Sequence, residues 1–176
     1  MKSKKQVIYA FIDSQNLNLG VRSQGWKLDW KKFRLYLLNK YRAEKVYLFI
    51  GQVTGNESLY AFLQEVGYIL IFKPTLEHHN QKKVKIKGNV DAELVLHAMI
   101  QFKNYDKAII VSGDGDFHCL VEYLEMKNKL LKILAPTAHY SSLLRKFNKR
   151  KLIVRIDLLR GSLEQKKTGI RGRSKP

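Results

Sequence analysis

The chain has 176 residues, enough for one domain with a real core, and its 45% hydrophobic and 11% aromatic content excludes a disordered polymer. A net charge of +18 points to phosphate-rich partners and salt-dependent binding, with RNA or DNA favoured over an acidic membrane surface or an acidic protein. The single cysteine, Cys119, excludes an intrachain disulfide and a cysteine-rich zinc site, and no apolar stretch has the roughly 18 residues of a membrane span, so a cytoplasmic location without membrane insertion is expected.

Taken in chain order, apolar runs alternate with stretches of helical period. Residues 7–12 read as a first strand that ends at Asp13. Asp29 is placed to cap a helix from Trp30 to Tyr41, in which Phe33, Leu37 and Tyr41 share a face. Lys45 to Ile50 is a second strand. Asn56 is placed to cap the next helix, where Leu59, Phe62, Leu63 and Val66 recur at helical spacing until Gly67 closes it. Tyr68 to Phe72 is a third strand, stopped by Pro74.

Residues 75–88 lack helical period, carry Lys82, Lys83, Lys85 and Lys87, and read as a loop or short hairpin near the site. Val90 to Phe102 is a helix with Leu94, Val95, Ala98 and Phe102 inward. Lys107 to Val111 is a fourth strand, Phe117 to Met126 a helix, and Leu130 to Leu134 a fifth strand ending before Pro136. Ser141 to Phe147 is a short helix and Leu152 to Ile156 a last strand. The order implies an α/β fold with a mostly parallel sheet and helices on both faces. Residues 1–160 form the domain; residues 161–176, with five cations and three glycines, read as a flexible basic tail.

The acids are unevenly placed. Asp13 ends the first strand, Asp91 opens a helix, and Asp114 and Asp116 follow the fourth strand in Ser112-Gly113-Asp114-Gly115-Asp116-Phe117. Open parallel sheets bind ligands at the carboxyl ends of their strands. If the first and fourth strands are neighbours, these carboxylates meet in one crevice, where they repel one another. A hard divalent cation, Mg²⁺ or Mn²⁺, relieves that repulsion through oxygen ligands and can activate water beside a phosphodiester. Read singly, Asp13 caps the turn after its strand, Asp91 is an ordinary helix cap and Asp114-Gly115 an ordinary turn; only their joint placement suggests a site.

Phe11-Ile12-Asp13-Ser14-Gln15-Asn16-Leu17, Lys87-Gly88-Asn89-Val90-Asp91 and Val111-Ser112-Gly113-Asp114-Gly115-Asp116-Phe117 resemble the NYN domain family, near its LabA-like branch, within the PIN-like nucleases. The resemblance spans about residues 6–135. It implies a PIN-like three-layer α/β/α sandwich and a metal-dependent ribonuclease that hydrolyses RNA. It implies Asp13, Asp91, Asp114 and Asp116 as catalytic, metal-binding acids, with Asn16 and Ser112 as polar companions that orient the site or bind substrate. Many relatives carry another aspartate about six residues beyond the central one; here that position is His97, read as a core or supporting histidine. This departure keeps open a non-catalytic RNA-binding or regulatory module.

Several other residues have two readings. Arg145, Lys146, Lys149 and Arg150, in an acid-free stretch running to Arg155, are candidates for the RNA backbone. Trp26 and Trp30 suit base stacking or helix packing equally. His78, His79 and His118 are read as surface residues, and Cys119 as a small buried apolar residue. An exposed edge strand would permit a homodimer.

Overall fold

Alternate residues of the central strands serve two different cores, and this two-sided burial organises the molecule. The computed structural model describes residues 5–73 and 90–166. The lysine-rich stretch 75–88, with His78 and His79, lies outside the described residues. The strands are β1 (Ile8–Asp13), β2 (Ala43–Gly51), β3 (Ile69–Lys73), β4 (Lys107–Val111), β5 (Leu130–Ala135) and β6 (Ile153–Arg155). They form one sheet in the order β3-β2-β1-β4-β5-β6, and every adjacent pair is parallel. β1 is buried along its whole length, as a parallel strand covered on both faces must be.

On one face lie Ile8, Ala10 and Ile12 of β1, Val46 and Leu48 of β2, and Ile109 and Val111 of β4. Helices α1 (Ser14–Arg22), α2 (Trp30–Tyr41), α3 (Glu57–Glu65) and α7 (Arg160–Leu163) cover it with Leu17, Val21, Phe33, Leu37, Leu63 and Leu163. On the other lie Tyr9, Phe11, Tyr47, Phe49, Ala108 and Ile110. Helices α4 (Val90–Ile100), α5 (His118–Met126) and α6 (Arg145–Asn148) cover this side with Leu94, Ala98, Leu120, Val121, Leu124 and Phe147. The result is the expected three-layer α/β/α sandwich. Among the described residues no helix is long and apolar enough to cross a membrane.

The chain leaves β1 in one direction to build β2 and β3, then returns past β1 to build β4, β5 and β6. That reversal puts the switch point between β1 and β4. Helices over β1 and β4 diverge there, which opens a crevice at the strands' carboxyl ends.

The local signals are followed in part, and the helix over Ser14–Arg22 is not among them. Asp29 accepts the Lys32 N–H at 3.0 Å and caps α2 as expected. Asn56 stands at the N-terminus of α3 but makes no side-chain cap bond. Instead the Glu57 carboxylate accepts the Gly55 N–H at 3.1 Å. Gly67 adopts φ 97°, a left-handed conformation that closes α3 and favours glycine.

Three sequence readings change or narrow. Cys119 is exposed, because the inward stripe of α5 runs through Leu120, Val121 and Leu124 and turns position 119 outward. Trp26 is buried, and Trp30 packs edge-on against Tyr68 at 5.9 Å, so both tryptophans serve packing. Residues 161–166, at the head of the segment read as a tail, dock on the domain. Leu163 is buried, the Asp29 N–H donates to its carbonyl at 2.8 Å, and Gln165 N–H donates to Lys27 O at 2.9 Å.

Candidate active site

β1 delivers Asp13 to the switch point, where its side chain is 5% exposed. Asp13 also caps α1: one carboxylate oxygen accepts the Asn16 N–H at 3.0 Å. The other oxygen accepts from the Ser112 hydroxyl at 3.4 Å, across the β1–β4 boundary. Burial pushes its carboxyl above the ordinary value of 3.8, the Asn16 and Ser112 hydrogen bonds oppose the shift, and the Asp114 charge adds to it.

β4 ends in a loop that turns on the same atoms. Ser112, 1% exposed, accepts the Asp114 N–H at 3.1 Å through its hydroxyl oxygen. Asp114 caps a single 3₁₀ turn, Gly115–Phe117, by accepting the Asp116 N–H at 3.0 Å. Gly113 donates its N–H to the Asn16 side-chain oxygen at 2.9 Å, and its own carbonyl accepts the Ser141 N–H at 2.9 Å. Asn16 therefore joins the two loops that carry Asp13 and Asp114. Gly115 is required by close approach: a Cβ there would lie 3.1 Å from Ser141 Cβ and 3.2 Å from Leu143 Cδ1.

Asp91 enters from the first turn of α4, on the face that α4 covers. Burial raises its carboxyl above the ordinary 3.8, and repulsion from Asp13, Asp114 and Asp116 raises it further. Lys73, at the end of β3, acts the other way. The four acids named from the sequence thus share one electrostatic neighbourhood at the topological switch point. Asp91 and Asp116 also border an open hollow of about 590 Å³ with Ala92, Val95, Leu96 and Met99. A second hollow of about 300 Å³ lies beside Asn16 and Gly113, floored by Gly20, Pro136 and Thr137.

The donor chemistry of this set, carboxylate oxygens without sulfur, suits Mg²⁺ or Mn²⁺ better than zinc. Among the described residues, no three His, Cys, Asp or Glu side chains form a group that could hold one metal ion. The acids are neighbours without being a closed cage. His97 sits one helix face away, with its ring edge-on to Phe49 at 5.6 Å. It packs against the sheet as a core histidine would.

The basic stretch divides. Lys146 bonds Glu122, and Arg150 bonds Glu125, both acids projecting from α5. The Lys146 partnership also holds the Glu122 carboxyl below the usual range. His118 joins this group at 3.1 Å from Glu122. Arg145 and Lys149 are exposed and form no ion pair among the described residues. Two of the four expected RNA-contacting cations are therefore already neutralised within the fold. Lys73 was not singled out from the sequence; its position, two residues beyond the inward-facing Ile71, was the available signal.

The model of the NYN domain matches residues 8–154. The chain belongs to the NYN domain family. This NYN chain is also 26% identical over 132 residues to the low amplitude and bright protein LabA of Synechococcus elongatus, covering 71% of each chain. A crystal structure of a protein of unknown function from Vibrio parahaemolyticus superposes with a TM-score of 0.75 at 21% identity, covering 94% of this chain and 99% of the other. The first match places the chain near the LabA-like branch and the second shows the shared fold. NYN domains are PIN-like, which ties this chain to ribonuclease-related chemistry.

Proposed function

We propose that this NYN protein is a metal-dependent endoribonuclease that hydrolyses RNA phosphodiester bonds. One observation carries the reading. Asp13, Asp114 and Asp116 all repel Asp91, and Asp114 repels Asp13, at the switch point of a chain with net charge +18, where a structural role alone gives no reason to collect four acids. Asp13, Asp91 and Asp114 would hold Mg²⁺ or Mn²⁺, with Asp116 as a fourth acid. When bound, the ion would supply an activated water and neutralise charge on the phosphate.

The protein's own contributions are positional. Ser112 and the Asn16 N–H hold the two oxygens of Asp13 in place. The Asn16 side chain, held by Gly113, keeps the Asp114 loop in register with β1. Arg145 and Lys149 would draw the RNA backbone toward the crevice.

The test is Mn²⁺-dependent cleavage of RNA by purified wild type and by D13N and D114N. Loss of cleavage in folded variants supports the reading; full activity in either overturns it. A second reading, a non-catalytic RNA-binding or regulatory module, is favoured by the open arrangement of the acids and by His97 packing on Phe49. Wild type that binds RNA and cuts none with Mg²⁺ or Mn²⁺ would establish that alternative.

A further inference from the structure

Lys73 is an unusual residue for its position. It is 6% exposed, the only lysine among the buried polar and charged residues of the described chain. Buried charges are paired or bear a large desolvation cost. Yet the Lys73 side chain makes no ion pair within 4.0 Å and no hydrogen bond among the described residues. Its ammonium is not sealed off either: the one fully enclosed side-chain nitrogen or oxygen without a partner there is Trp26 Nε1. The stem is buried and the tip is not fully enclosed, the usual arrangement of a lysine at a core's edge.

The sheet register says where that tip goes. Asp13 lies level with Phe49, and Phe49 with Ile71, across β1, β2 and β3. Phe49 and Ile71 both belong to the core beneath α4. Side chains two apart on a strand share a face, so Lys73 also faces the α4 side, one step beyond the level of Asp13. Phe72, of opposite parity, turns away to pack on Tyr60 of α3 at 4.9 Å. Lys73 therefore leaves the carboxyl edge of the sheet on the face where α4 presents Asp91.

We propose that Lys73 binds a non-bridging oxygen of an RNA phosphate in this crevice, supplying the cation that the acidic side of the site lacks. A phosphate drawn to a set of carboxylates meets repulsion at every oxygen a metal does not reach. An ammonium set on the same face, near Asp91 but in no ion pair within 4.0 Å among the described residues, provides the missing contact. The ligand's identity rests on the RNA reading given above.

The experiment measures binding of a single-stranded RNA oligonucleotide by fluorescence anisotropy across a salt series. Calcium replaces manganese, and gels confirm uncut strand. Wild type is compared with K73M, which keeps the apolar stem, and with K73Q, which serves if K73M does not fold. The expected result is a Kd raised roughly tenfold, as for loss of one charged hydrogen bond. The slope of log K against log salt should fall by about 0.7, the value for one single-strand phosphate contact. A purely structural lysine would leave the slope unchanged. A folded variant with wild-type Kd and slope overturns the proposal and leaves Lys73 serving only the carboxylates. Wild type that binds RNA without ever cutting it ends the nuclease reading but leaves this test intact; wild type that binds no RNA overturns both.

Discussion

The Asn16 side-chain oxygen accepts the Gly113 N–H at 2.9 Å, joining positions 97 residues apart in the chain. Asn16 sits in the first turn of α1 and Gly113 just past β4, so this one bond ties the Asp13 loop to the Asp114 loop. Asn16→Ala would leave a partly buried N–H without its acceptor. The expected cost is about 1–2 kcal/mol, or roughly 3–6 °C in Tm, with a loss of any metal-dependent activity larger than the stability change explains. Thermal denaturation beside RNA cleavage checks this; an unchanged Tm would show that the loops are held by other contacts.

Asp91 is strained by its neighbours, and the sign of its pH effect follows. Its folded pKa lies above the ordinary 3.8, so between those two values the folded protein holds more protons than the unfolded chain. Stability is therefore lost as pH rises through that window and stays lower above it. Asp91→Asn removes one repelling charge, and it should raise Tm at pH 7 by an amount that shrinks as pH falls toward 3.8. Added Mn²⁺ should stabilise wild type, by about 1.4 kcal/mol at ten times its Kd, and stabilise the variant less. A D91N protein with lower Tm at neutral pH would contradict this account.

Gly115 marks where the 3₁₀ turn of the acidic loop meets Ser141 and Leu143. Gly115→Ala must push that contact apart. Destabilisation of about 1–3 kcal/mol is expected, with weakened site function through displacement of Asp114 and Asp116. Equal stability of G115A and wild type in urea would show that Ser141 swings aside freely.

The cations near α6 should differ in their effect on RNA. Arg145 and Lys149 form no ion pair among the described residues, whereas Lys146 and Arg150 already face Glu122 and Glu125. Arg145→Ala and Lys149→Ala should each weaken RNA binding more than Lys146→Ala or Arg150→Ala, with a salt-slope loss of about 0.7 per phosphate contact. Equal losses in all four variants would mean that RNA displaces the α5 glutamates.

What the sequence determined by itself was local. Apolar runs of strand length, the Asp29 cap and helix periods depend on neighbours within a few residues, and they appear nearly where expected. The outward turn of Cys119 is legible too, in the spacing of Leu120, Val121 and Leu124, although its neighbours Phe117 and Leu120 suggest burial. The three acidic motifs identified the family because their order and spacing survive without knowledge of the fold. Tertiary structure alone decided the rest. Whether Asp13 and Asp114 would meet depended on β1 and β4 being neighbours, a pairing chosen by the burial of both faces of the sheet. Lys146 and Arg150 lost their free charge because α6 packs beside α5. Lys73 acquired its position because parallel register, a relation between strands far apart in sequence, sets which face each residue joins.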